Sequence, residues 1–547
     1  MTFKSQKVTT FFKNNWQLLL ILLLAIILRF YKFGQVPAGF TWDEAAIGYN
    51  GHAVIKTRRD EWLTFLPISF RSFGDFKAPF AIYLNGLFTL VFGLNKYAVR
   101  LPFALAGVLG VLGFFKLTKA YLEAVKYQGK FSSKQLGLVA ALIVATSPWH
   151  LHFTRAGFET AMALTMICWS FYFLIKFLKL KKKTTFNNKL INLSLSSTLA
   201  IASLYTYHSP KIFLPIILLT VLIINRKLFW REKVASLITA VWSLFLLFPF
   251  IKDVLFGNGL ERGGTLIFFE GLPWQDTVKL FLYNLGSHFM PGFLVGGKTT
   301  SLRHGTGVYG VLLPITFSLV VFSLLMVVVS VLTKKQNKKF TNSILLGLGV
   351  ILAGFLPASL AKGVPQANRA ILALPGLILV AVLGFDQFLS LFKQLEAKLK
   401  IKQKTVIIVI SLIYLFNVGA YLFDYYKHFA KASAEDFQEG YLEVFTYVEQ
   451  YEKGLNGFSQ KDEIIFSDNY GQPYIYALFV RKTNPIWYHG GSLIKYKFVS
   501  EVNVADLERQ NSVVVATYSQ LEEYQDQADK IIYGSDGSVR FRIFVTD

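Results

Sequence analysis

The chain has 547 residues, 53% of them hydrophobic, with 57 Lys and Arg against 33 Asp and Glu and a formal net charge of +24. A mean hydropathy of +0.43 and apolar runs of about 20 residues exclude an ordinary soluble globular protein. The basic residues fall in short clusters between apolar segments, as cytoplasmic loops do, so the charge gives no reason to expect nucleic acid as a partner.

Basic residues precede the first apolar run, and Leu28-Arg29-Phe30-Tyr31 after it is no small-residue cleavage site. The run therefore reads as an uncleaved helix with a cytoplasmic N-terminus. Propagating orientation by the positive-inside rule gives about eleven spans. Span 1, about 16–33, runs outward, and residues 34–98 form an external loop. Residues 79–93 are apolar but short, and read as a helix at the interface or docked on the bundle. The next spans are about 100–117, 136–151, 159–180, 190–207, 211–225 and 234–251. A second external loop, 252–307, is rich in Gly and carries Arg262, His288, Lys298, Arg303 and His304. Spans at about 308–332, 342–361, 369–388 and 405–423 follow. Lys181–Lys183, Lys334–Lys335 and Lys398–Lys404 then all fall inside. Cys168 lies in an apolar run and reads as a packing residue; alone, it excludes an intrachain disulfide.

The fold class is thus a polytopic α-helical membrane protein, 1–424, with a small external α/β domain, 425–547. In the tail, Glu463–Phe466 and Ser512–Ala516 read as buried strands, and Arg540–Val545 alternates like an exposed or edge strand. Segments near 434–453 and 472–482 read as helices.

The external face collects polar residues from distant segments. Asp43 and Glu44 follow span 1 directly, where charge is costly. Asp43 is either the cap of a following helix or a functional acid; in an extended loop the two acids would point opposite ways. Lys77 precedes the 79–93 segment. Arg155 and Glu159 are four apart, one helix face if helical, and read either as an ion pair or as site residues. His208 and Lys211 lie between spans. Lys362 and Arg369 flank the 369–388 span, where they either snorkel or serve the site. Such cations can hold a phosphate at the bilayer surface, while one carboxylate deprotonates an acceptor hydroxyl. His288 and His304 could instead bind a metal with an acid, but no metal-ligand spacing is present, so no cofactor is required and a divalent metal is possible but not indicated.

Four stretches carry a resemblance: Asp43–Glu44; Ala98-Val99-Arg100-Leu101-Pro102-Phe103-Ala104-Leu105; Thr146-Ser147-Pro148-Trp149-His150 running into Thr154-Arg155-Ala156; and Arg303-His304-Gly305. In that order the chain resembles family 39-type glycosyltransferases of the membrane-embedded GT-C superfamily. That group includes protein O-mannosyltransferases and the aminoarabinose transferases. The resemblance implies an inverting hexosyl- or pentosyltransferase of the cell membrane. It would use a polyprenyl-phosphate-linked sugar and an external acceptor: glycan, lipid or protein. It maps the general base to Asp43 and the donor-phosphate contact to Arg155. Lys211, Arg303 and His304 complete the candidate phosphate set. Glu44 supports acceptor or structure, and Glu159, Lys77, His208 and Arg369 are candidate substrate contacts. The rival readings are a flippase for lipid-linked sugars and a membrane-anchored glycan binder. Charges gathered at one face, rather than at mid-membrane, favour the enzyme.

Overall fold

The computed structural model describes residues 3–180, 184–257, 271–334, 337–399, 401–488 and 493–547. Lys181–Lys183, Lys335, Lys400 and Arg262 lie outside them. Eight of the described helices are long and apolar enough to cross a membrane: Phe12–Phe30, Lys96–Ala124, Glu159–Leu178, Lys233–Phe256, Pro314–Leu332, Lys338–Ser359, Ala367–Gln394 and Gln403–Ala432. The other three expected spans are Ser133–Thr146, Phe186–Leu204 and Pro210–Ile224; the first and last are shorter, at 14 and 15 residues.

Helix α1 (Phe3–Phe30) leads to a turn, and the chain then enters α2 (Trp42–Thr57). The expected extended loop around Asp43 is therefore a helix start. Thr41 is its N-cap: Glu44 N donates to Thr41 Oγ1 at 3.3 Å, and Thr41 N to Glu44 Oε2 at 3.1 Å. This capping box satisfies two amides that a helix start otherwise leaves unpaired. The cap is thus Thr41, leaving Asp43 free for other partners.

A two-residue turn, Phe73-Gly74, with φ of 53° and 74°, joins β1 (Phe70–Ser72) to β2 (Asp75–Lys77). Positive φ at both central residues matches the twist of a hairpin, and the hairpin ends on Lys77. Helix α3 (Pro79–Phe92) follows. Its 14 residues span about 21 Å, short of the bilayer core. It buries Ala81, Ile82, Asn85 and Gly86 and exposes Leu87, Leu90, Val91 and Phe92. At its crossing with α2 the backbones touch: a Cβ on Gly86 would stand 2.2 Å from Gly51 O.

The bundle continues with α4 (Lys96–Ala124), α5 (Ser133–Thr146), the short α6 (Pro148–His152), α7 (Glu159–Leu178), α8 (Phe186–Leu204) and α9 (Pro210–Ile224). Helix α4 packs on α3, α5 and α7, and α7 on α8. Cys168 is buried within α7, as expected of a packing residue. The expected 252–307 loop is partly helical, with Trp274–Ser287 and Pro291–Leu294.

The C-terminal region carries a five-stranded sheet of order β4-β3-β5-β7-β6, with β3 (Glu463–Ser467), β4 (Tyr496–Val499), β5 (Ser512–Thr517), β6 (Lys530–Tyr533) and β7 (Val539–Val545). Strand β3 runs parallel to β4 and β5, and β7 antiparallel to β5 and β6. Strand β7 is therefore interior, not an edge. Its alternating arginines are buried: Arg542 bonds Tyr518 O, Gln520 O and Gln525 Oε1. Helices Tyr441–Lys453 and Pro473–Arg481 cover one face of the sheet. Ala45, Ala46 and Tyr49 of α2 belong to the same apolar cluster, so α2 lies between the bundle and this domain.

Candidate active site

The capping box aims the two acids apart. Glu44 is buried, and both of its oxygens are taken. Oε1 accepts from Arg100 Nε at 2.7 Å and Gly157 N at 2.9 Å; Oε2 accepts from Arg100 Nη2 at 2.9 Å as well as from Thr41 N. Arg100 is fully buried in α4, and its remaining donors hold Pro37 O and Gly39 O. Glu44 therefore ties α2 to α4 and to the 156–158 turn. It borders the cavity described below, but its four acceptor positions are already filled by protein donors.

Asp43 points the other way and is 30% exposed at its side chain. Lys77 Nζ meets Oδ1 at 2.5 Å and Arg303 Nη2 meets Oδ2 at 2.5 Å. Burial raises the Asp43 pKa, but Lys77 and Arg303 outweigh it and hold the carboxyl well below the usual range. It is ionised at any working pH.

This pair opens into a polar cavity of about 200 Å³ lined by Asp43, Lys77, Glu159, Arg303, His304 and Arg369, with Tyr207, Gln366 and Asn368. The structure thus gathers most of the expected site residues from five separate segments. Arg303 Nε, Arg369 Nη1, His304 Nδ1 and Asn368 Oδ1 are buried without a hydrogen-bond partner. Such orphaned groups are costly unless a ligand or water completes them. His304 is not a cation: burial, then the positive charge of Arg303, lowers its pKa to about 3. A neutral imidazole can hydrogen-bond a ligand but adds no charge. Arg303 is held from behind, where His152 Nε2 lies 2.8 Å from its carbonyl, and its guanidinium sits 5.4 Å over the Trp42 ring. The 366–369 turn carrying Arg369 is pinned by Trp149 Nε1 to Ala367 O and Thr160 Oγ1 to Asn368 O.

Three expected residues lie elsewhere. Arg155 is fully buried, and its guanidinium binds the carbonyls of Leu28, Tyr31, Lys32 and Val36 and the Tyr426 hydroxyl. It staples the turn after α1 and offers a phosphate nothing. It also precedes α7, which begins at Glu159, so the four-residue spacing is not helical. His208 and Lys211 border a small adjoining cavity with Lys77, Ser69 and Asp253; Lys211 Nζ lies 5.0 Å over the Phe250 ring. Of the other loop histidines, His288 is built in, stacked on Phe355 and bonded to Asn284 O and Gln366 N. Among the described residues no group of three or more His, Cys, Asp or Glu is arranged to hold a metal.

Sequence reasoning assigned no role to Arg100, Tyr207, Gln366 or Asn368. Arg100 carried a signal: a lone arginine inside an apolar helix needs a buried acid. The other three are neutral loop residues with no sequence signature.

The bundle with its C-terminal domain shares its fold with known structures. Residues 76–252, roughly a third of the chain, match the family model of dolichyl-phosphate-mannose-protein mannosyltransferase. Among solved structures, the chain is similar to ArnT from Cupriavidus metallidurans bound to undecaprenyl phosphate, with 11% identity, TM-score 0.53, and coverage of 97% of this chain and 98% of that one. It is also similar to the archaeal oligosaccharyltransferase AglB from Archaeoglobus fulgidus, in complex with an inhibitory peptide and a dolichol-phosphate, with 13% identity, TM-score 0.51, and coverage of 97% and 74%. No curated protein matches the chain by sequence.

Proposed function

We propose that this protein is an inverting glycosyltransferase that takes a sugar from a polyprenyl-phosphate donor and passes it to an acceptor at the face of the membrane where the C-terminal domain sits. The observation that carries the reading is Asp43 held between Lys77 and Arg303 in a polar cavity with unpaired guanidinium nitrogens. Lys77, Arg303 and Arg369 outnumber the carboxylates open to them, which suits an anion. The donor's phosphate displaces Asp43 as partner of Lys77 and Arg303, and Arg369 completes its contacts. Asp43, released, accepts the proton of the acceptor hydroxyl. The acceptor oxygen bonds to the anomeric carbon as the bond from that carbon to the phosphate oxygen breaks. The departing polyprenyl phosphate keeps the electron pair, and the three cations stabilise its charge.

Charge compensation by these cations leaves no step that requires a metal. The inside-positive loops favour a multi-pass protein of the cell membrane with a cytoplasmic N-terminus and the cavity outside. Undecaprenyl phosphate in the ArnT structure and a dolichol-phosphate in the AglB structure support a lipid phosphate as carrier. The test is transfer from defined polyprenyl-phosphate sugars by purified protein in detergent, with the product's anomeric configuration read by NMR. Retention of configuration, or absence of transfer with every such donor, sinks the proposal.

A further inference from the structure

The segment between the last membrane helix and the C-terminal sheet touches both arms of the acid site. Asp436 Oδ1 accepts from Ser301 Oγ, and Ser301 Oγ in turn accepts from Arg303 N at 3.1 Å. Two residues on, Gln438 Oε1 accepts from Trp42 N at 2.8 Å. Trp42 precedes Asp43, and its amide is one of those a helix start leaves unpaired. Gln438 thus caps α2 from 396 positions away in sequence. Tyr476 of the C-terminal domain secures this contact, its hydroxyl 3.1 Å from Gln438 Oε1 and 2.7 Å from Phe40 O. Gln438 itself adopts φ +56°, a strained conformation that persists only where surroundings hold it. The fit has no slack: a Cβ on Gly39 would stand 2.0 Å from Phe437 O, and one on Gly471 2.7 Å from the Trp42 ring.

Two partners of one ion pair, Asp43 and Arg303, are therefore each set by a side chain of the same three-residue segment. We infer that Asp436 and Gln438 are positioning residues of the site, and that docking of the C-terminal domain fixes the Asp43–Arg303 geometry in which an anionic lipid headgroup is received. The headgroup part rests on the transferase reading; the positioning part does not.

The experiment uses the full chain in detergent and two readouts. Gln438→Met and Asp436→Ala remove an acceptor each, whereas Gln438→Glu and Asp436→Asn keep one. Hydrogen exchange by mass spectrometry is expected to rise in peptides covering 41–46 and 299–304 in the first pair and to stay near wild type in the second. Affinity for undecaprenyl phosphate is expected to fall about tenfold in the first pair, the effect of one lost hydrogen bond near a charge, and less than threefold in the second. Ser301→Ala, a smaller lesion on the other side of the Asp436 bond, is expected to raise exchange at 299–304. Unchanged exchange at both segments in Gln438→Met and Asp436→Ala overturns the inference, as does a rise spread evenly over the chain in Ser301→Ala. A wild-type protein that ignores undecaprenyl phosphate refutes the lipid-phosphate reading, while the exchange data still decide the positioning role.

Discussion

Glu44→Gln separates the two acids of the motif. The glutamate carboxylate accepts four hydrogen bonds, two from buried Arg100 and one each from Thr41 N and Gly157 N. Glutamine preserves shape and can keep the two bonds on Oε1. Its amide nitrogen then faces Thr41 N and Arg100 Nη2, donor against donor, and Arg100 keeps a buried charge with no counter-ion. Breaking a buried pair from one side costs about 3–5 kcal/mol. With an unfolding entropy of about 2 cal/mol/K per residue over the chain, that is a fall in apparent Tm of roughly 3–5 °C. The assay is thermal unfolding in detergent at a fixed scan rate, run beside Asp43→Asn. Asp43 is part-exposed and relieved of no essential packing, so Asp43→Asn is expected to melt within about 1 °C of wild type. Arg100→Met in the Glu44→Gln background is expected to recover part of the loss, because the unpaired charge is gone. A Glu44→Gln protein that melts like wild type but transfers no sugar would refute the structural assignment and make Glu44 a reacting group.

Four further outcomes are expected. Asp43→Asn abolishes transfer by at least about 100-fold, the usual worth of a general base, while binding donor at least as well as wild type; full activity removes Asp43 from the mechanism. Lys77→Met weakens donor binding roughly 10- to 100-fold, since one charge-assisted bond to phosphate is lost; an unchanged donor Kd contradicts the clamp. Glu61→Gln alters the pH dependence of stability. Glu61 is buried beside Tyr474, and burial, then Asp60, lifts its pKa from 4.5 to about 8. The folded state therefore holds a proton that the unfolded state has released. Stability is complete below about pH 4.5 and declines as pH rises to about 8, by roughly 3 kcal/mol at pH 7. The amide removes that slope and raises Tm at pH 7, and parallel melting curves from pH 5 to 8 would contradict it. Finally, transfer persists in excess EDTA, and loss of activity restored by a divalent ion would overturn the metal-free step.

Length and apolar runs made the bundle legible because lipid demands continuous apolar helices, and every expected span corresponds to a helix. The β3 and β5 strands were legible for a similar reason, being short β-branched runs buried on both faces. The β7 reading failed because Arg540 and Arg542 looked solvent-facing, whereas backbone carbonyls and acids fold over them. At the site, sequence picked Asp43, Lys77, Arg303 and Arg369 by charge at one face. It also picked Arg155, since an arginine that binds carbonyls and one that binds phosphate look identical in sequence. The turn around α2 was readable in principle: Thr41-Trp42-Asp43-Glu44 is a capping box, and it would have tied the Glu44 carboxylate to the helix start.

The cap that Gln438 places on Trp42 also bears on synthesis. Helix α2 emerges early, yet an acceptor for its first amide is made 396 residues later. At about 5–20 residues per second the wait is roughly 20–80 s. During that interval the membrane helices can insert and pack, but Asp43 lies on a helix whose end is unfinished. A nascent chain, or one cut short before the C-terminal domain, therefore carries the acid and its cations without the geometry that joins them. A segment made late thus completes a site assembled from residues made before it.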